Sequence, residues 1–480
     1  MAGPRIAPEA SPAPAGPGED AGAGEAPPVQ LEALGPRGAY RARKRLTVPD
    51  VAGRPVAELS VVPQLFVGRA LTALRRAENL PEEERLAALA RAARVFREGT
   101  VGGLSYDAYE RLVSRVSGVS RTAVRAAADE IATAAHRAHF AARHARPTGA
   151  VADWRDPLTR TGRAVWTRRG DVLAVHAAGN HPAPHALWLE ALALGYRIAV
   201  RPSRREPFTP HRLVAALRAA GFADDQVACL PTDHAVAGEV LAGADLGVVY
   251  GGDDVVRRYA GDARVLAQGP GRSKVLLTAD TDWRDHLDVL VDSVAHHGGV
   301  KCVNTTAVFV EGDPAPVAEA LAERLARLPS LPPEHPDAVL PAQPAAAARA
   351  LEEHLLTQAK GATAWLGGDG VVDELPGGGA VLRPAVHQLD RGDARAGIEL
   401  PFPCVWVAPW TPEDGLAPLR DTLVLGAFTE NAGLVDALVA EPTVANVYLG
   451  DHPTHWMEPG TPHDGYLGEF LMRTKTVIRD

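Results

Sequence analysis

Between residues 171 and 268 the chain alternates short apolar runs with amphipathic stretches closed by glycine, a rhythm that few architectures accept. Asp171-Val172-Leu173-Ala174-Val175-His176 reads as a buried strand, residues 184–195 as a helix closed by Gly195, and Arg197-Ile198-Ala199-Val200 as the next strand. Thr209-Pro210 opens a helix carrying Leu213, Leu217 and Ala220, which Gly221 stops. Strand 226–230, helix 234–242, strand 245–250, helix 253–260 and strand 264–267 follow. Strands alternating with helices of this length predict βαβ units and a parallel sheet. Ligands on such sheets bind beyond the carboxyl ends of the strands. Asn180, Arg201 to Arg205, Gly251 and Gln268 fall at those ends.

On either side of this unit the pattern differs. Residues 1–40 are dominated by Ala, Pro and Gly and are expected to form a disordered tail. Asn79-Leu80-Pro81-Glu82-Glu83-Glu84 starts a helix in which Leu86, Leu89, Ala93 and Phe96 share a face, and residues 106–145 continue as amphipathic helix. Residues 283–298 read as a helix leading to Cys302, and a second α/β region runs from 303 to about 455. Phe470 to Ile478 reads as a terminal strand, a kind that pairs elsewhere in the chain or with another subunit.

Composition excludes several functions. A formal net charge of -9 favours neither nucleic acid nor an anionic membrane surface. Three cysteines (Cys229, Cys302, Cys404) make no disulfide framework, so a reducing cytoplasm is expected. The longest apolar stretch, Ala186 to Val200, is broken by Glu190 and Arg197, and no apolar leader opens the chain. His181 and His185 are four apart, and His452 lies near His455, but no Cys or Asp cluster accompanies them, so no metal site is expected.

Cys302 lies in His296-His297-Gly298-Gly299-Val300-Lys301-Cys302, between a glycine turn and the apolar run Ala307-Val308-Phe309-Val310. A thiol placed there can face a cleft, and neighbouring Lys and His favour its nucleophilic thiolate. On this segment alone a buried structural cysteine is an equal reading.

The ordered series of segments from about 45 to 478 resembles the aldehyde dehydrogenase superfamily. Gly299-Val300-Lys301-Cys302 is similar to its nucleophile loop, and Ala178-Gly179-Asn180-His181-Pro182 to its oxyanion turn, which gives Asn180 and the Cys302 backbone N–H the task of holding a tetrahedral oxyanion. Val200-Arg201-Pro202-Ser203-Arg204 is similar to the Lys-Pro-Ser-Glu segment that holds the adenosine ribose. Arg stands at both charged positions, which implies NADPH, with NADH as the other possibility. Gly251 and Gly252 resemble the turn that meets the pyrophosphate, and Glu399 with Phe402 the segment at the nicotinamide ribose and ring. Gln268 occupies the position of the glutamate that activates water in oxidising members, and an amide has no carboxylate to accept that proton. The usual Arg five residues beyond the cysteine is Ala307. The Gly-rich segment before the last strand is replaced by Glu458-Pro459-Gly460-Thr461-Pro462-His463-Asp464-Gly465.

The resemblance implies an α/β aldehyde dehydrogenase-like fold. Its Rossmann-type dinucleotide-binding domain is expected at 41–146 and 170–270, its catalytic domain at 271–455, and a bridging, oligomerising element at 147–169 and 456–480. With Gln268 in place, the expected reaction is NAD(P)H-dependent reduction of an acyl thioester, on CoA or an acyl-carrier protein, to an aldehyde through an acyl-Cys302. Oxidation of an aldehyde with another base, a histidine among the choices, and a non-catalytic nucleotide-binding homologue are the alternatives. A homodimer or homotetramer is expected from the terminal strand.

Overall fold

The computed structural model describes residues 27–480. Most of the expected tail, residues 1–26, lies outside the described residues. Its last part does not fit the expectation: Val29–Leu31, Ala33–Gly35 and Gly38–Tyr40 are strands. Leu31 and Ala33 are buried, and the segment adds to a sheet edge whose backbone groups would otherwise go unpaired.

The βα rhythm forms a seven-stranded sheet. In spatial order its strands are Val265–Gln268, Leu246–Tyr250, Val172–His176, Arg197–Arg201, Val227–Cys229, Ala33–Gly35 and Gly38–Tyr40. The first five run parallel, and the last two close the edge antiparallel. Alternate side chains enter different cores. Leu173 and Val175 pack with Leu89, Phe96, Ile131 and Phe208. Val172 and Ala174 pack with Val67, Leu71 and Val240 on the opposite face. A parallel strand buried on both faces needs this continuous apolar composition.

Five residues after Gln268, Ser273–Leu277 starts a second seven-stranded sheet. It lies between Thr305–Glu311 and Thr422–Phe428, with Cys404–Trp410 beyond the former and Val444–Leu449 beyond the latter. Ala385–Gln388 follows in parallel, and Thr363–Leu366 forms an antiparallel edge. The short crossing at 269–272 therefore sets the carboxyl ends of the first sheet against the entry to the second, and the Cys302 loop leads into the strand paired with 273–277. A third, small sheet pairs Arg163–Arg168 with Ala150–Val151 and, antiparallel, with Met472–Val477.

Two helix expectations need correction. Residues 106–145 form two helices, Tyr106–Ser117 and Arg121–Arg143. Gly118 between them has φ 75°, and a Cβ there would lie 1.8 Å from the Ala342 carbonyl oxygen, so close approach of a distant strand decides the break. Residues 184–195 reduce to a 3₁₀ turn, Ala183–Ala186, and a short helix, Leu189–Ala193.

Candidate active site

Cys302 sits in a turn that the chain enters through two left-handed glycines, Gly298 (φ 82°) and Gly299 (φ 65°). Asn304 braces the turn: its side chain accepts from the Lys301 N–H at 2.9 Å and donates to the Ser293 and His296 carbonyls at 3.2 and 3.1 Å. The crossing segment presses on the same turn. Ser273 Oγ donates to the Cys302 carbonyl at 2.9 Å, and a Cβ on Gly271 would stand 1.9 Å from that oxygen. Cys302 is half-buried, whereas Cys229 and Cys404 are fully buried and burial pushes both thiols up to about 12. Only Cys302 is therefore accessible as a nucleophile at neutral pH.

A polar partner of its sulfur was not among the expected site residues. His463 Nε2 lies 3.5 Å from Cys302 Sγ. On the other side of the ring, His463 Nδ1 is 3.4 Å from Asp464 Oδ1, and the same oxygen accepts from Gln268 Nε2 at 2.9 Å. Asn446, on the strand Val444–Leu449, holds the His463 backbone carbonyl and donates to the Leu423 carbonyl at 2.9 Å. Burial works against a charged His463 ring, yet the adjacent Cys302 sulfur and the Asp464 carboxylate push it up to about 10. Asp464 is held below the usual carboxylate range against its own burial, by His463 and Gln268. The arrangement sets a protonated imidazole against the Cys302 sulfur, with Gln268 as a clamp on the carboxylate behind it. The available sequence signal was the replacement of the Gly-rich segment by one carrying a His-Asp pair.

Asn180 reaches the same loop: its Nδ2 donates to the Val300 carbonyl at 2.9 Å. One amide hydrogen remains for an oxyanion, and the Cys302 backbone N–H has no partner among the described residues. The turn that carries Asn180 packs closely, since a Cβ on Gly179 would lie 2.1 Å from Ser203 Oγ.

At the carboxyl end of Arg197–Arg201, Arg201 Nε donates to Thr232 Oγ1 at 2.8 Å, and Ser203 Oγ accepts from the Arg205 N–H at 3.2 Å. The Arg204 Nε and the His176 Nε2 beside them are buried without partners among the described residues. Burial, then the charge of Arg201, lowers His176 to about 4, so the ring is neutral there. Unpaired donors around two guanidinium groups fit an anion such as a cofactor phosphate. Arg205 is instead a structural tie to the Ser117 carbonyl and the Gln343 side chain, at 2.8 and 2.9 Å.

Gly252 caps the helix Asp253–Tyr259 and faces open space, while Gly251 lies against Val255. Asp253 and Asp254 occupy the helix's first turn and already compensate its N-terminal dipole, and Asp253 makes two 2.7 Å contacts with Arg272. Glu399 accepts from the Arg272 backbone N–H at 2.7 Å, and burial raises its pKa. Phe402 is 1% exposed and packs with Trp406 and Leu400 in the core under the second sheet.

One acid does accompany two of the chain's histidines. Asp292 pairs with His455 Nε2 at 2.7 Å and with His296 Nδ1 at 3.5 Å, and the three ligand atoms lie within 4.8 Å of one another. The His296 and His455 rings stack at 3.5 Å, His297 stacks on His296 at 3.9 Å, and His181 stacks on His297 at 5.3 Å. Burial and the neighbouring cations hold His181 and His297 below the ordinary histidine range, so these two rings are uncharged next to Asn180. The helix Leu287–Ala295 and its C-cap supply Asp292 and His296, and the loop after Val444–Leu449 supplies His455, a pairing that spacing along the chain does not reveal.

Two α/β sheets meeting at a half-buried cysteine, with an amide turn on one side and basic strand ends nearby, define a nucleotide-cleft protein with a nucleophilic centre. The chain belongs to the aldehyde dehydrogenase family, whose sequence profile matches residues 64–465. A 2-hydroxymuconic semialdehyde dehydrogenase of a Pseudomonas species is 28% identical over 290 residues, 54% of this chain and 58% of that protein. An aldehyde-dehydrogenase-like protein of Sinorhizobium fredii is 22% identical over 255 residues, 50% of this chain and 48% of that protein. The chain thus spans about half the length of these curated relatives. Among solved structures, an indole-3-acetaldehyde dehydrogenase in complex with NAD+ superposes with a TM-score of 0.76 at 18% identity, over 93% of this chain and 96% of that one. An NAD+ complex of aldehyde dehydrogenase from Bacillus cereus reaches 0.79 at 14% identity, over 93% and 96%. No helix among the described residues is long and apolar enough to cross a membrane.

Proposed function

We propose that the protein is an NAD(P)+-dependent oxidoreductase that converts an aldehyde to its acid through an acyl-Cys302, with His463 as the base that Gln268 cannot be. The observation that carries this reading is the 3.5 Å approach of His463 Nε2 to the Cys302 sulfur. The thiolate adds to the aldehyde carbon, and the resulting alkoxide meets the Asn180 amide and the Cys302 N–H. When bound, the nicotinamide supplies the acceptor for the hydride, leaving a thioester on Cys302. Formation of the thioester removes the sulfur's negative charge. His463 then loses the main influence holding its proton, burial prevails, and the proton leaves. The neutral ring takes a proton from water, the hydroxide adds to the thioester carbon, and the C–S bond breaks to give acid and thiolate. Aldehyde, water and NAD(P)+ are consumed, and carboxylate, NAD(P)H and two protons are formed.

Arg201, Ser203 and Arg204 would hold the adenosine end, and the paired arginines with the unpartnered His176 nitrogen support NADP+ over NAD+. The ratio of kcat/KM for the two dinucleotides measures that preference, and a ratio favouring NAD+ ends it. Met472–Val477 offers an unpaired edge among the described residues and supports a homodimer. Sedimentation at the mass of a single chain would refute it.

A second reading, reduction of an acyl thioester on CoA or a carrier protein, is favoured by Gln268 at the water-activating position. There the imidazolium would protonate the departing thiolate. Gln268→Glu separates the two readings. In the oxidation reading the new carboxylate repels Asp464, removes the 2.9 Å clamp and lowers acid formation from aldehyde. In the reduction reading it adds a missing base and raises hydrolysis of the acyl-enzyme. The assay is acid and NAD(P)H formed without CoA, against NAD(P)H consumed with an acyl-CoA.

A further inference from the structure

A cavity of about 170 Å³ opens beside the catalytic group. His463, Asp464 and Gln268 form one wall, and His463 Nε2 stands 3.5 Å from the Cys302 sulfur. Trp188, Tyr250, Tyr466 and Phe470 supply aromatic surface. At 170 Å³ the space suits a short chain, well below the usual volume for larger ligands.

Glu190, Asp464 and Glu469 contribute carboxylates to the lining; its one cation is the His463 imidazolium, which faces Asp464, and neither Lys nor Arg is present. Asp464 is engaged by His463 and Gln268. Glu190 is half-buried on the short helix Leu189–Ala193, and its carboxyl has no hydrogen bond or ion pair among the described residues. A carboxyl desolvated without a partner is costly unless a ligand completes it. Aromatic faces beside a free carboxylate are the surroundings that an alkylammonium ion prefers.

We propose that this cavity is a cation subsite and that the substrate is a short aldehyde or acyl group whose far end carries an amine, held by Glu190. The inference rests on the reading of Cys302 as the acyl-accepting centre. The same lining disfavours substrates ending in a carboxylate. Burial raises Glu190 to about 7, and the titratable groups facing the cavity with it are His463, Asp464, Glu469, Tyr250 and Tyr466. The carboxylate is the binding form, so preference for the amine is present above about pH 7 and declines as pH falls below it.

Binding is testable without turnover. n-Butylammonium should raise the melting temperature of the wild-type protein at pH 8, while 1-butanol and butanoate should not. Glu190→Gln, which keeps the shape and removes the charge, should abolish the ammonium effect. In kinetics, a short aldehyde ending in an amine should exceed its alkyl isostere in kcat/KM by about ten- to hundredfold, a ratio that collapses towards one in Glu190→Gln. Equal stabilisation by the alcohol, or an ammonium effect that survives Glu190→Gln, overturns the proposal. Retained ammonium binding with no turnover of any aldehyde supports the subsite and counts against the oxidation reading instead.

Discussion

Cys302→Ala is expected to leave no measurable turnover in either direction, a loss of at least about 10⁴-fold in kcat. Both chemistries considered for this site require a covalent acyl-sulfur bond, and no other thiol can substitute. Cys229 and Cys404 are buried, with ionisation pushed up to about 12, so neither offers a thiolate at pH 7. Iodoacetamide at neutral pH should label the wild type once, at Cys302, and the variant not at all, as read by peptide mass spectrometry. Alanine removes only a small half-buried group from a turn braced by Asn304, so dinucleotide binding and the melting temperature should hold. Undiminished NAD(P)H formation in this variant would end the covalent mechanism.

His463→Ala should lower kcat by about 10² to 10⁴-fold, the range for losing a positioned general base. Two effects combine. The thiolate loses its imidazolium partner, and the acyl-enzyme loses the group that deprotonates water. The first is visible without substrate. In the wild type, the imidazolium of His463, held protonated up to about pH 10, should speed the reaction of the adjacent sulfur with iodoacetamide at pH 6. In the variant the sulfur has no cationic partner, and labelling at pH 6 should slow by about two orders of magnitude. The second effect appears as an acyl-enzyme that accumulates: a burst of NAD(P)H followed by slow release of acid. Labelling at pH 6 that is indifferent to the substitution would show that the two side chains do not share a proton.

These expectations separate what could be read along the chain from what could not. The alternation from Val172 to Gln268 is short-range information. Each strand and helix is specified by its own periodicity and its closing glycine, and the family resemblance identified Cys302, Asn180 and Gln268 from segments a few residues long. For Phe402 the motif records which residue follows which, not what its ring packs against. In the folded chain it packs with Trp406 in the core. Gly118 broke the helix expected at 106–145 because a strand more than two hundred residues away passes 1.8 Å from where its side chain would be.

The catalytic partner shows the same limit more strongly. His463 and Cys302 are 161 residues apart, and no local pattern links them. They meet because the strand carrying Asn446 and the strand following Cys302 belong to one sheet, and because the crossing at Gly271 brings Gln268 to Asp464. Likewise Glu190 is one acid within an apolar stretch until Trp188, Tyr250 and Phe470 close around it. By itself the amino-acid order determined the alternating α/β architecture, since each element depends on contacts between near neighbours, and the family resemblance pointed to Cys302. Only the tertiary structure decided which imidazole stands beside that sulfur and which carboxyls line the neighbouring cavity, because burial and long-range approach, not residue type, set the pKa of a side chain and the partners within its reach.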